Sequence, residues 1–228
     1  MTAGRILAID TSGTNAMVAL GEADGTLVAE RRWVAGYRHG EELLTRIDEM
    51  LATTATPLAG LSGIVVGTGP GAFTGLRVGL ATAKALARGL GVAIAGVPTS
   101  AALLHTAGLA AEVEGKQAVL LLPAGPSDRV VVAGGLAQLI RGGEELPIEL
   151  ADDGQVLVAV DLPGRAPEDA LARGAKAEAE LPASILALGV LRLASGGDDV
   201  SLLVPEYVSL PRGVAVMKEE VKWSHDLR

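Results

Sequence analysis

The sequence predicts an α/β protein built from two units, on three observations. Of its 228 residues 49% are hydrophobic and 20% charged, enough to bury a sizeable core and too apolar for a disordered chain. Gly counts 30 against two Trp, two Tyr and a single Phe, so the core is Leu, Val, Ile and Ala with frequent backbone bends. The charge is also unevenly placed: residues 1–98 hold 8 Lys and Arg against 8 Asp and Glu, whereas residues 99–228 hold 11 against 19. The excess behind the net charge of -8 therefore lies wholly in the second part. The expected division is a first domain of residues 1–98 and a second, acidic α/β domain of residues 99–228 with a C-terminal helical tail.

The chain opens as a three-stranded meander. Arg5 to Asp10, Ala16 to Leu20 and Thr26 to Arg32 are each rich in Ile, Leu or Val and are separated by turn residues. Gly13 and Asn15 in the first turn, and Asp24 with Gly25 in the second, tolerate the positive φ of tight connections. Leu43, Leu44, Ile47, Met50 and Leu51 then recur at helical spacing and predict a helix from about His39 to Thr53, with Glu41 and Glu42 favourably placed in its first turn. Gly63 to Gly67 is apolar without alternation, the pattern of a strand buried on both faces. A loop over Thr68 to Thr74 feeds a second helix from Gly75 to about Leu90, stopped by Gly89 and Gly91. Val92 to Gly96 is another strand, and Pro98, Thr99 and Ser100 open a helix, Ala101 to about Ala110. The order βββαβαβ with a helix leaving is that of a ribonuclease H-like half-domain.

Past Ala110 the pattern weakens. Ala118 to Leu122, Arg129 to Ala133 and Val156 to Val160 read as strands, followed by a helix near Pro182 to Ala194 and a strand near Leu202 to Val204. Gly-, Pro- and acid-rich spacers separate them, which predicts a second, more degraded α/β unit. Val214, Met217 and Val221 stand at helical spacing and predict a short terminal helix.

Several function classes are excluded at this level. The acidic balance argues against a phosphate-backbone binder, which needs basic stripes. Arg77, Lys84, Arg88 and Arg192 interrupt the longest apolar stretches, so no membrane span is expected. Ile6 to Ile9 is too short for a signal-peptide core, and the expected location is the cytoplasm. With no Cys, thiol catalysis, disulfides and thiolate metal sites fall away together. His39, His105 and His225 are far apart, with no H-E-x-x-H pair and no G-x-S-x-G elbow, and no metal is expected. The acidic pairs Glu41-Glu42, Glu144-Glu145, Asp152-Asp153 and Asp198-Asp199 read as solvated loop or helix-end charges.

Two stretches remain as candidate sites. Asp10, Thr11, Ser12, Gly13 and Thr14 form a D-x-x-G-T hairpin, whose N–H groups and hydroxyls can hold a nucleotide phosphate while Asp10 holds a metal. The plainer reading is a Gly-containing hairpin without a ligand. A nucleotide cleft needs a second such hairpin on the other unit, and Asp152-Asp153-Gly154 lacks the following Gly-Thr. Gly67 to Arg77, G-T-G-P-G-A-F-T-G-L-R, is neither a P-loop nor a dinucleotide fingerprint. Pro70 fixes one φ between Gly69 and Gly71, Thr74 is placed to cap the helix, and free N–H groups there can hold an anion. A tightly packed strand-to-helix corner is the alternative. Phe73 is expected to plug this corner to a neighbouring surface.

The helix that follows is apolar around nearly its whole circumference, with Arg77, Lys84 and Arg88 as its polar edge. Gly75, Gly79, Ala83 and Ala87 recur every four residues, a smooth strip on which another helix can lie close. One side packs on its own sheet; the other is expected to meet a partner chain. The residues expected at that contact are Leu43, Ile47 and Met50 from the first helix, with Phe73, Gly75, Leu76, Gly79, Leu80, Ala83 and Ala87 from the second.

The run Ile6 to Ser12, the helix from His39 to Leu51, and above all Gly69 to Gly79 (G-P-G-A-F-T-G-L-R-V-G) with Ala83-Lys84 and Leu86-Ala87 resemble the TsaB family, formerly YeaZ. The likeness runs to about His105, and the G-P-G-x-F-T-G-L-R form separates TsaB from its paralogue TsaD. The resemblance implies an actin-like (ASKHA) fold of two ribonuclease H-like lobes, the second degenerate. It implies a subunit without catalysis of its own in bacterial synthesis of N6-threonylcarbamoyladenosine at position 37 of tRNA. The implied partners are a TsaD-like transferase, which holds the metal with a histidine pair, and a TsaE-like ATPase; alone, the chain forms a homodimer. On this reading tRNA is met through the complex, no membrane is involved, and the chain has no cofactor of its own, ATP or ADP belonging to the complex interface. The second lobe departs from the family. Its usual Asp-Ala-Arg stretch is replaced over Leu121 to Arg129, and the usual P-x-Y-L-R reads Pro205 to Ser209 without the Arg.

Two other classes stand beside this reading. A small-molecule kinase or nucleotide-binding protein of the same fold, using the Asp10 hairpin, lacks a second phosphate hairpin. A peptidase-like hydrolase lacks a nucleophile or metal set.

Overall fold

The computed structural model describes residues 4–35, 39–106, 116–145 and 154–208. Five strands, β1 (Arg5–Asp10), β2 (Asn15–Gly21), β3 (Leu27–Val34), β4 (Leu61–Gly67) and β5 (Ala93–Val97), form one sheet in the order β3-β2-β1-β4-β5. The meander is antiparallel, Asp10 standing opposite Met17, while β4 and β5 run parallel to β1 and β4. Helices α1 (His39–Thr53) and α2 (Phe73–Leu90) carry the crossovers, as parallel pairing requires. After α3 (Thr99–Leu104) a second sheet follows, made of β6 (Gln117–Pro123), β7 (Arg129–Ala133), β8 (Leu136–Ile140) and β9 (Gln155–Ala159) in the order β8-β7-β6-β9. Helix α4 (Glu168–Ala194) closes the set, 27 residues with Pro182 inside.

The first sheet is covered on both faces, which is why β1 and β4 are apolar without alternation. Leu7, Ile9, Ile64 and Val66 pack with Leu43, Ile47 and Met50 of α1 and Leu80 of α2. Ile6, Ala8, Met17 and Val65 point the other way, into a core shared with Ile185 and Leu186 of α4 and with Leu120, Val130 and Val158 of the second sheet. Helix α4 contacts β9 and also β1 to β5, so the chain returns from the second sheet to roof the first.

Several elements differ from expectation. Helix α4 begins at Glu168 rather than near Pro182, because Pro167 with Glu168 and Asp169 behind it forms a favourable first turn. Strand β8 was not expected; Gly134 and Gly135, at φ 56° and 80°, form the tight link that turns β7 back on itself. Residues 202–204 are not a strand. Ala72, without a side-chain hydrogen bond, stands at the N-cap of α2, and Thr74 lies exposed inside the helix. Asp198 is not a merely solvated charge: its N–H donates to the Ile94 carbonyl at 2.8 Å, and its carboxylate accepts the Gly96 N–H at 2.7 Å and Arg192 at 2.8 Å. The helix begun at Thr99 is described to Leu104; residues 107–110, Asp152, Asp153, His225 and the predicted terminal helix lie outside the described residues.

Candidate functional site

The hairpin between β1 and β2 lies where the two sheets approach each other. Asp10 ends β1 and is 1% exposed. Its Oδ1 accepts the Ser12 N–H at 2.9 Å and the Ser12 hydroxyl at 2.7 Å, while Oδ2 accepts the Thr99 hydroxyl at 2.6 Å. Burial pushes the carboxyl above its ordinary value, and these three donors oppose the shift. Both oxygens are thus engaged inside the chain. Thr99 also accepts the Gly69 N–H at 3.2 Å, and the Ala72 N–H donates to the Ser12 carbonyl at 2.7 Å, so the loop before α2 is sewn onto the hairpin. The backbone approach is close enough that a Cβ on Gly71 would stand 2.3 Å from the Ser12 carbonyl oxygen. Of the two readings of this loop, the packed strand-to-helix corner matches these contacts.

Asp10, Ser12, Gly71, Thr99, Leu122 and Leu181 line a cavity of about 40 Å³ between the sheets. Sites for small-molecule ligands run to ~300–1,000 Å³, so this one lies far below that range. Two side-chain hydrogen bonds cross its rim. Thr14 donates to Asp161, which holds φ 52° two residues past β9, and the Asn15 amide donates to Glu178 of α4 at 2.9 Å. Asp10, Ser12, Gly13 and Thr14 therefore line this narrow cleft, while Thr11 is turned away from it toward α2. Thr99, Asn15, Asp161 and Glu178 were not foreseen there; Thr99 lay in plain view as a helix opener, and nothing local marked its reach to Asp10. Among the described residues, no group of three His, Asp or Glu side chains is placed to hold a metal ion. Nor, among them, is any helix long and apolar enough to cross a membrane.

The smooth strip of α2 is turned inward. Thr11 donates its hydroxyl proton to the Gly75 carbonyl at 2.7 Å, and a Cβ on Gly79 would stand 2.2 Å from the same hydroxyl. Ala83 and Ala87 are 0% and 1% exposed, Leu43, Ile47, Met50 and Leu80 are buried against the chain's own sheet, and Leu76 is buried beside Gly69. Small residues thus let α2 lie close on β1, and the strip Gly75, Gly79, Ala83 and Ala87 faces the chain's own sheet. The open side of the helix pair carries Leu44, 59% exposed, with exposed Ala81, Ala85 and Gly89. Phe73 packs within the chain, its ring 4.9 Å from that of Tyr207, with the Arg77 guanidinium 5.0 Å from its centre.

Two lobes of ribonuclease H-like topology meeting at a hairpin-lined cleft define an actin-like protein of the ASKHA class. YeaZ from Pseudomonas aeruginosa superposes with a TM-score of 0.66 at 21% identity, over 90% of this chain and 99% of that one, and carries the same fold. The family model for tRNA N6-adenosine threonylcarbamoyltransferase, TsaD, matches residues 33–203. The chain belongs to this family, and several of the proteins that it is similar to bear the names TsaB and YeaZ. The TsaB protein of Escherichia coli is 38% identical over 95 residues, 42% of this chain and 40% of that protein. The TsaB protein of Bacillus subtilis is 37% identical over 92 residues, 40% of each. The chain spans less than half the length of the curated relatives it matches.

Proposed function

We propose that this chain is a scaffold subunit in the synthesis of N6-threonylcarbamoyladenosine on tRNA, pairing with a TsaD-like transferase and a TsaE-like ATPase and catalysing nothing alone. The observation that carries the reading is the shut cleft: the carboxylate that a kinase of this fold would turn toward a metal and nucleotide is engaged by Ser12 and Thr99 over a cavity of about 40 Å³. The relatives' names support the pathway. The surface offered to the partner is the outward side of α1 and α2, around Leu44, Ala81 and Ala85, and the same side joins two copies when the partner is absent. Any ATP or ADP is held at the complex interface, and tRNA is met there too.

Reconstitution tests this. With a purified transferase and ATPase, threonylcarbamoylation of tRNA should require this chain, which alone should turn over no ATP. Modification at full rate without the chain, or ATP turnover that Asp10→Ala abolishes, would overturn the proposal; the second outcome restores the kinase reading.

A further inference from the structure

Helix α4 lies against both sheets, and a glycine marks each seat. A Cβ on Gly174 would stand 1.8 Å from the Ala159 carbonyl oxygen on β9, and one on Gly189 would stand 2.3 Å from Val65 on β4. Each half of the helix is thus held with its backbone close on a different sheet. Pro182 falls between the two seats. It has no N–H to give, so the Glu178 carbonyl, four residues back, loses its helical donor, and the ring crowds that turn.

Arg32, on the edge strand β3 of the first sheet, fills the break. Its Nη1 donates to the Glu178 carbonyl at 3.0 Å and its Nη2 to the Ala179 carbonyl, while Nε stays paired with Glu30 at 2.9 Å. On the same turn, the Glu178 carboxylate takes the Asn15 amide that bridges the cleft rim. One turn of α4 therefore carries the broken ladder, the guanidinium that spans it and one of the two rim bonds.

We propose that Arg32 and Pro182 form a joint between the lobes, which fixes the alignment of the two halves of α4 and holds the cleft shut. Helices bend at proline, where the ladder is interrupted. A planar guanidinium spans two successive carbonyls at once, which a lysine ammonium does not. Once it is withdrawn, the N-terminal half of α4 moves with the second sheet, Asn15 parts from Glu178 and Thr14 from Asp161, and the cavity over Asp10 widens.

The absence of Cys makes this directly measurable. Spin labels on Ala52→Cys in α1 and Leu136→Cys in β8, both exposed positions, should give one narrow distance distribution. Arg32→Ala should broaden it toward longer distances, and Arg32→Lys should do nearly the same, covering the case in which the alanine variant fails to fold. Pro182→Ala restores an N–H at residue 182, so adding it to Arg32→Ala should bring the narrow distribution back. Glu30→Ala, which removes the ion pair and leaves the carbonyl contacts, should stay narrow. A narrow distribution in both Arg32 variants, or a broad one that Pro182→Ala does not narrow, overturns the joint. Broadening by Glu30→Ala equal to that of Arg32→Ala overturns it as well, since the ion pair alone would then account for the effect.

Discussion

Thr99 donates its hydroxyl proton to Asp10, 89 positions earlier in the chain, at 2.6 Å, and accepts the Gly69 N–H at 3.2 Å. One side chain thus ties the end of β1, the loop before α2 and the start of α3. Thr99→Val keeps the shape and removes the donor, leaving a buried carboxylate oxygen and the Gly69 N–H short of partners. The expected loss is about 1–3 kcal/mol in urea unfolding.

The titration of Asp10 gives stability a definite pH dependence. Its carboxyl binds a proton more tightly folded than unfolded, because burial penalises the charge. The group's contribution is therefore full below the ordinary value of 3.8 and is lost as pH rises through the raised folded value. Asp10→Asn cannot ionise, so its stability relative to wild type should climb across that window and level off above it. Unfolding curves at a series of pH values check this; a relative stability that falls with rising pH would contradict it.

Two alanines two positions apart on α2 should behave oppositely. Ala83 is 0% exposed against its own sheet, so Ala83→Glu should destabilise by about 3–5 kcal/mol and show as lost helicity in circular dichroism. Ala85 is exposed, so Ala85→Glu should cost the isolated chain no more than about 0.5 kcal/mol. It should nevertheless abolish capture of a TsaD-like transferase and leave the chain monomeric in light scattering. A folded Ala85→Glu that still binds the transferase would put the contact elsewhere.

Gly89 and Gly174 both lie in helices, and only their surroundings differ. A Cβ at Gly89 meets nothing within 4 Å, so Gly89→Ala should raise stability by about 0.5–1 kcal/mol. At Gly174 the Ala159 backbone stands in the way, so Gly174→Ala should lower it by at least about 1–3 kcal/mol.

Asp198→Ala removes the acceptor of the Gly96 N–H and the partner of Arg192. Amide exchange at Gly96 should accelerate, with a loss of about 1–2 kcal/mol. Unchanged exchange there would mean that the edge of β5 is held by other contacts.

The first lobe was largely legible because its signals are local. Alternation, turn residues and the 3.6-residue stripe from Leu43 to Leu51 fall within single elements, and β1 to β5 with α1 and α2 lie within a few residues of where the pattern puts them. The second lobe was read less well where one residue carries two meanings. Pro182 reads as a helix start but sits inside α4, because Arg32 from a distant strand takes over the contact that it breaks. The pair Gly134-Gly135 was a hairpin signal in view, yet the weak alternation of Leu136 to Ile140 hid the strand behind it. The strip Gly75, Gly79, Ala83 and Ala87 was seen, but its direction was not: small residues suit a close sheet as well as a close helix, and the Thr11 hydroxyl that decides between them comes from another element. The contacts that shut the cleft, Asn15 to Glu178 and Thr14 to Asp161, join residues 163 and 147 positions apart, which no local pattern reports.

The return of α4 to the first sheet imposes an order on synthesis. Ile6, Ala8, Met17 and Val65 are translated early with the rest of their sheet, but Ile185 and Leu186, which cover them, are translated much later. At ~5–20 residues per second the interval from β5 to those side chains is roughly 5–20 s. For that time the apolar side chains on that face of the sheet lack their cover, an address for a ribosome-bound chaperone, and the half of the protein made first is among the last to be finished.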